Sequence, residues 1–193
     1  NFIRSKNDKI LLTVPVNRSG FLKKKINDIK IDYSTNWNEK HLKSIKLCYQ
    51  NKEYFDLYFH QIEEIYNKRH KLLSDLNYDL LIFFLKKIGI DTKIVKASDY
   101  NFKGKKSDLV LDMCLKLNFN KYIFGEQGRK YVKEDDFKIK GVRVAYQKYI
   151  HPKYSQGYPN FIPNLSVLDL IFNYGNKSLE ILNNSQNKFI FNQ

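Results

Sequence analysis

SDLVLDMCLKLNFNKYIF, residues 107–124, changes from helical to strand-like hydrophobic spacing within one short stretch. Its first part predicts a helix that Ser107 caps and that runs to Leu117, and Lys121 to Phe124 then reads as a strand. The preceding run Thr92 to Val95 reads as a strand as well. Strand, helix and strand in this order usually form a right-handed crossover between parallel strands. The sequence therefore predicts an α/β fold with a layered, mostly parallel, Rossmann-like sheet.

Further strands are expected on both sides of this unit. Val142 to Tyr149 (VRVAYQKY) predicts the strand that leads into His151. Lys9 to Val16 (KILLTVPV) predicts an early strand, and Ile26 to Ile31 alternates imperfectly, as a second short strand can.

The middle of the chain is expected to be helical. Asn36 begins a first helix, and a second helix spans about residues 54–69, with the inward side chains Leu57, Ile62 and Ile65. A third helix runs from Ser74 to Lys87 and ends at Gly89.

Composition limits the classes of protein that are possible. With 193 residues and 42% hydrophobic residues, the chain can bury a real core, and one domain is expected. No apolar run reaches the roughly 18 residues of a membrane span, and no secretory signal is visible, so a cytoplasmic protein is expected. The net charge is +14, but the lysines are scattered instead of massed on one helix among aromatic residues, which argues against a nucleic-acid-binding protein.

His151 to Gly175 reads HPKYSQGYPNFIPNLSVLDLIFNYG and concentrates polar and aromatic side chains in one window. Its prolines predict an ordered loop, and a short apolar helix then follows, with Ser166 or Asn164 as its N-cap and Gly175 as its stop. His151 is a candidate general base, because a strand leads to it and an imidazole titrates near neutral pH. The alternative is a hydrogen-bonded structural histidine. Asp169 can orient that imidazole, or it can cap and solvate its own helix.

Residues 125–131, GEQGRKY, contain the ingredients of an anion-binding turn. Gly125 and Gly128 permit close backbone approach, an ensuing helix would present free amides, and the Arg129 guanidinium suits phosphate or carboxylate. The alternative is a plain strand-to-helix turn that needs positive φ at glycine. His41, His60 and His70 show no metal-ligand spacing and are expected at surface or interhelical positions, so no metal site is predicted. Both cysteines are expected to be core residues.

Several of these segments together resemble the WbqC-like family of bacterial O-antigen and related surface-polysaccharide biosynthesis proteins. The resemblance runs nearly end to end, through LLTVPV (11–16), INDIKID (26–32), NWNEKHLKSI (36–45), IGIDTKIVKAS (88–98), GEQGRKYV (125–132) and the window that begins at His151. Members typically begin with a HQPxYxPWxGY-like block, which this chain lacks. We therefore expect an N-terminally truncated fragment, whose missing histidine could itself be the catalytic base.

The resemblance implies an enzyme that transfers glycine or another acyl group to a nucleotide-linked amino sugar. The donor would be an acyl or aminoacyl carrier protein thioester or coenzyme A, and the positive charge would suit an acidic carrier protein. His151 would take the proton of the attacking amine, amides near Gly125 and Gly128 or Asn164 would stabilise the oxyanion, and Arg129 would hold the diphosphate. Further substrate contacts would come from Tyr131, Tyr154, Gln156, Tyr158 and Asn173. A nucleotidyltransferase-like enzyme and a non-catalytic sugar-nucleotide-binding protein remain alternatives.

Overall fold

Seven α-helices and five strands follow one another along the described part of the chain. The structure, a computed structural model, describes residues 1–184 and 188–191, the side chains of Phe21 and of 188–191 excepted. In chain order the elements are β1 (Phe2–Arg4), β2 (Lys9–Leu11), α1 (Trp37–Tyr49), α2 (Phe55–Asn67), α3 (Leu73–Ile88), α4 (Lys106–Lys116), β3 (Lys121–Gly125), α5 (Glu134–Ile139), β4 (Arg143–Lys148), α6 (Val167–Tyr174), α7 (Ser178–Asn183) and β5 (Lys188–Phe191).

The chain divides into two units. Unit 1 consists of Asn1–Thr92 and Lys153–Leu182, and unit 2 of Lys93–Pro152 and the described residues after Leu182. Each unit has its own cluster of buried apolar side chains. The expectation of a single domain stays a prediction.

Unit 1 is built on the predicted helical segment. Helix α1 buries Trp37, Ile45 and Tyr49, which recur at helical spacing, so one face of the helix packs into the core. The helical middle of the chain is thereby confirmed. In α2, Ile62 and Ile65 are buried as expected, whereas Leu57 is 59% exposed. The expectation for Leu57 was wrong because its neighbours Tyr58 and Phe59 occupy the inward positions.

Gly89 and Gly175 end helices as predicted. Gly89 follows α3 in the left-handed conformation with φ of 86°, and Gly175 follows α6 with φ of 53°. At the other end of α6, the Ser166 hydroxyl accepts a hydrogen bond from the amide of Leu168. Ser166 is therefore the N-cap of the helix that carries Asp169.

Unit 2 contains a three-stranded sheet in the order β3-β4-β5. Strands β3 and β4 are parallel, with Lys121 opposite Arg143, and helix α5 lies in the connection between them. Strand β5 joins β4 in the antiparallel sense. The predicted strands at 121–124 and 142–149 are thus present, and the chain is a mixed α/β protein.

The layered, mostly parallel, Rossmann-like sheet is not confirmed. Residues 92–95 form no strand, because Lys93 and Val95 are exposed and only Ile94 is partly buried, so the segment has no apolar face to pack. Residues Ile26–Asp28 form a 3-10 turn instead of the expected strand, and only single bridges at Lys30 and Ile31 follow it. Among the described strands of unit 2, only one pair is parallel.

Ser107 does not cap α4 as predicted. It lies inside the first turn of α4, whose N-cap position is Lys105. Its hydroxyl is buried and accepts a hydrogen bond from the amide of Lys133 over 3.0 Å. The side chain that the sequence pattern predicted as a helix cap therefore forms a tertiary contact instead.

Candidate functional site

His151 follows strand β4 in unit 2 and has a fixed ring orientation. Its Nδ1 lies 2.8 Å from the backbone oxygen of Pro152, and its ring packs edge-on against Tyr149. A carbonyl oxygen only accepts hydrogen bonds, so Nδ1 carries the proton in the neutral ring and Nε2 carries the lone pair. This tautomer suits a general base, and the same contact suits a structural histidine.

The Gly125 to Tyr131 turn also belongs to unit 2. Residues Glu126–Lys130 form a 3-10 turn, and the amides of Tyr131 and Val132 both donate to the backbone oxygen of Gly128. Neither glycine has positive φ, so the alternative of a turn that needs this conformation does not apply. Gly128 is instead required by close packing, because a β-carbon there would collide with Phe124. The described α-helix that follows the turn before β4, α5, has six residues, so an anion at this turn would meet the amides of the turn itself and not the end of a long helix.

The Arg129 side chain already contacts two neighbouring residues of unit 2. Its Nε donates to Glu126 over 3.2 Å, and its guanidinium lies 4.1 Å from the centre of the Tyr146 ring. The ion pair is exposed and therefore weak, so an anionic ligand can replace Glu126 at small cost. Tyr131 is exposed beside this turn.

The polar loop 153–165 belongs to unit 1, and Gln156 fixes its shape. The Gln156 amide donates to the backbone oxygen of Ile162 over 2.8 Å and accepts from its backbone nitrogen over 2.9 Å. Gln156 is 1% exposed, so its side chain holds the loop closed. Gln156 thus shapes the loop, and the substrate contact predicted from the sequence stays a prediction.

Asp169 is fully buried on helix α6, which rules out the interpretation of a solvated helix cap. Its Oδ1 accepts a hydrogen bond from the Tyr49 hydroxyl over 3.0 Å, and the Tyr49 oxygen accepts from the amide of Arg4 over 2.7 Å. Burial raises the pKa of Asp169, whereas hydrogen bonds from Tyr154 and Tyr49, the charge of Lys52 and a hydrogen bond from Gln156 lower it. The pairing of Asp169 with His151 stays a prediction.

The other predicted residues of unit 1 differ in their contacts. Tyr158 is half-buried, and Arg4 and Lys52 lie over its ring. Tyr154 packs edge-on against Tyr174 and Phe161. Asn164 is exposed in the left-handed conformation with φ of 59°.

Asn173 is used within its own helix. Its side-chain amide donates to the backbone oxygen of Asp169 over 2.7 Å. That contact leaves the side-chain oxygen of Asn173 as the group that a ligand can meet.

The predicted residues thus form two groups. Tyr154, Gln156, Tyr158, Asn164, Asp169 and Asn173 belong to unit 1, whereas Gly125, Gly128, Arg129, Tyr131 and His151 belong to unit 2.

Arg4, Tyr49 and Lys52 lie around Asp169 and Tyr158 but were not among the predicted site residues. Tyr49 is one of 14 tyrosines, and Arg4 and Lys52 are two of 34 lysines and arginines. No local pattern distinguishes them, because their partners lie far away in sequence.

A cavity of about 380 Å³ lies elsewhere in unit 1. It is lined mostly by apolar side chains, together with His41 and a few uncharged polar groups. Burial lowers the pKa of His41, although a hydrogen bond with the Thr13 backbone opposes the shift, so the imidazole is neutral at pH 7. His41 sits between α1 and α2, 3.5 Å from the Tyr66 hydroxyl, which confirms the expected interhelical position. No Asp, Glu, Lys or Arg side chain lines the described cavity.

Two further observations concern membranes and metals. Within residues 1–184 and 188–191, no helix is long and apolar enough to cross a bilayer. The same residues contain no group of three His, Cys, Asp or Glu side chains arranged to hold a metal ion.

Comparison with known proteins places this geometry in a family. The model of the WbqC-like protein family matches residues 1–181. The chain belongs to the WbqC-like family. Within 184 aligned residues, this WbqC-like chain is 29% identical to the uncharacterized protein Rv1507c of Mycobacterium tuberculosis, and the alignment covers 94% of the chain and 79% of that protein. No solved structure is significantly similar to the WbqC-like chain.

Proposed function

We propose that this WbqC-like chain transfers glycine or another acyl group to a nucleotide-linked amino sugar in surface-polysaccharide (O-antigen) biosynthesis. The donor is a thioester, carried by an acidic acyl or aminoacyl carrier protein or by coenzyme A. The observation that carries the proposal is the His151 imidazole, whose Nδ1 contact with Pro152 leaves the lone pair on Nε2. Membership of the family supports the same reaction class.

In the proposed reaction the sugar amine attacks the thioester carbonyl. A C–N bond forms, the C–S bond breaks, and the sulfur leaves as a thiol once it has received a proton. His151 removes the proton from the attacking amine and returns one to the leaving sulfur. Backbone amides near Gly125 and Gly128 or near Asn164 stabilise the oxyanion that develops on the carbonyl.

The remaining residues bind or position. Arg129 holds the diphosphate in place of its exposed contact with Glu126. Tyr131, in the same unit as His151, contacts the substrate. That Tyr154, Tyr158, Asn173 and Asp169 of unit 1 contact or position it stays a prediction from the sequence, and Gln156 keeps their loop closed.

Mass spectrometry of the chain, incubated with a nucleotide-linked amino sugar and a panel of glycyl and acyl donors, tests the reaction. We expect a mass increase on the sugar equal to the acyl group of one donor, together with release of the free thiol. Saturable binding of the sugar without any product would reject acyl transfer and favour a nucleotidyltransferase or a non-catalytic binding protein.

His151→Asn tests the base in the same assay. Asparagine retains a hydrogen-bond donor but cannot accept the amine proton, so we expect turnover to fall at least about 100-fold. The matched control is His60→Asn, since His60 is exposed on α2, where it lies beside Glu63 and the ring of Phe59. Full turnover in His151→Asn would remove this residue from the mechanism.

A further inference from the structure

Arg4 is a buried cation whose guanidinium the protein uses only in part. The residue is 3% exposed, and its Nη2 donates to the backbone oxygen of Asn160 over 2.9 Å. Nε and Nη1 are buried and have no hydrogen-bond partner among the residues that the structure describes. Buried polar groups normally have their hydrogen bonds satisfied, and buried arginines normally pair with an anion. Arg4 therefore presents spare, charged donors inside unit 1.

Lys52 brings a second positive charge to the same place. Its ammonium donates to the backbone oxygen of Gln156 over 2.7 Å and lies 5.0 Å from the centre of the Tyr158 ring. The Arg4 guanidinium lies 4.9 Å from the centre of that same ring. Burial lowers the pKa of Lys52, the charge of Asp169 opposes this shift, and the charge of Arg4 adds to it. The two cations thus repel one another across a partly buried space.

Asp169 is the carboxyl group whose charge acts on Lys52, and Arg4, Lys52 and Asp169 together keep a net positive charge even when Asp169 is ionised. Within them, neither Arg4 nor Lys52 forms an ion pair with an Asp or Glu side chain. Asp169 acts on Lys52 through its charge, but burial favours the neutral form of that carboxyl group. An excess of positive charge and unused donors therefore coincide around one aromatic ring.

We propose that Arg4, Lys52 and the ring of Tyr158 form a binding site for a phosphate group. Phosphate oxygens accept from the spare donors of Arg4 and from Lys52, and the negative charge relieves the repulsion between the two cations. Tyr158 and Lys52 are half-buried, so both are partly open to solvent, whereas Arg4 is buried. That the phosphate belongs to a nucleotide sugar or to a coenzyme A-type donor rests on the proposed function, whereas the existence of the site does not.

Isothermal titration calorimetry with the full chain tests the site. Inorganic phosphate, uridine diphosphate and coenzyme A are titrated separately, at an ionic strength that sodium chloride holds constant. We expect saturable binding of phosphate, and Lys52→Gln should weaken it at least about tenfold. Lys46→Gln removes the same charge from an exposed position of α1 and should leave the affinity unchanged. Tighter binding of uridine diphosphate than of coenzyme A would assign the phosphate to the nucleotide sugar, and the reverse order would assign it to the donor.

Wild-type affinity in Lys52→Gln would overturn the site, as would an equal loss in Lys46→Gln or no saturable binding at all. A loss confined to Arg129→Gln would place the phosphate in unit 2 and would overturn the site as well. Arg4→Gln is the second variant, and if it fails to fold, Lys52→Gln alone decides. Because binding needs no turnover, a chain that binds phosphate at Lys52 but makes no acylated sugar rejects only the proposed function. A chain that makes the product while Lys52→Gln binds normally rejects only the site.

Discussion

At the scale of single residues, Asp169 is the group whose chemistry burial changes most clearly. Its carboxyl group is 0% exposed, on a helix whose N-cap and C-cap are both defined. Burial is the main cause of its raised pKa, so the ionised form is less favourable in the folded chain than in the unfolded one. Ionisation of Asp169 therefore opposes folding.

Asp169→Asn should remove one pH-dependent part of the stability. Because the pKa of Asp169 is raised in the folded chain, its contribution to the free energy of unfolding is most favourable below pH 3.8, the ordinary pKa of the group. The contribution declines as the pH rises from 3.8 to the raised pKa. Asparagine has no proton to lose and still accepts from Tyr49, so the variant should lack this decline. Urea unfolding at a series of pH values measures the difference between wild type and variant.

Asp32→Asn is the control of opposite sign for that measurement. Asp32 is half-buried, and a backbone hydrogen bond from Ser34 lowers the pKa of its carboxyl group. Replacing that carboxyl group by an amide should therefore reduce stability at pH values above the ordinary pKa. If the stability of Asp169→Asn declined with pH as steeply as that of the wild type, the result would contradict a raised pKa of Asp169.

At the scale of elements, the end of helix α6 depends on a glycine that two constraints require. Gly175 has φ of 53° and ψ of −125°, a backbone conformation that is essentially restricted to glycine. A β-carbon at this position would also collide with the Tyr54 ring. Gly89 ends α3 in the ordinary left-handed conformation, and among the described residues a β-carbon there would meet Leu179 at ordinary contact distance.

Gly175→Ala should therefore destabilise the chain more than Gly89→Ala does. We expect a loss in the free energy of unfolding of about 1 kcal/mol for Gly89→Ala, from the left-handed conformation alone. Gly175→Ala adds the steric conflict with Tyr54 and should lose on the order of 3 kcal/mol. Chemical denaturation measures both variants, and equal losses would show that Tyr54 simply moves aside.

At the scale of the whole molecule, the net charge of +14 is the dominant feature. Like charges on a folded chain repel one another, and that repulsion is smaller in the expanded unfolded state. Salt screens charges that lie more than about 8 Å apart at physiological ionic strength, so screening favours the folded chain.

Sodium chloride should therefore raise the melting temperature between low ionic strength and about 0.15 M. The double variant Lys23→Gln and Lys25→Gln lowers the net charge by two at exposed positions and should show a smaller rise. Differential scanning calorimetry measures both chains. A melting temperature that falls with added salt would show that attractive ion pairs outweigh the general repulsion.

The sequence by itself determined those elements whose signals are local. Helix α1 and helix α3 show clear hydrophobic spacing, Gly89 marks the end of α3, and Ser166 and Gly175 mark the two ends of α6. The strands at 121–124 and 142–149 were predicted for the same reason, because their apolar alternation lies within a few residues. Where the local signal was ambiguous, as at 26–31 and 92–95, the predicted strands were wrong.

Only the tertiary structure decided how the polar groups meet. The hydrogen bond between Arg4 and Tyr49 spans 45 positions of the chain, the one between Lys52 and Gln156 spans 104, and the one between Tyr49 and Asp169 spans 120. The sequence window that begins at His151 pointed to Asp169 and Tyr158. Nothing in it indicated that Arg4 and Lys52, which are distant in sequence, lie beside them. Burial and charge at a site are properties of packing between remote segments, and neither residue spacing nor composition encodes them locally.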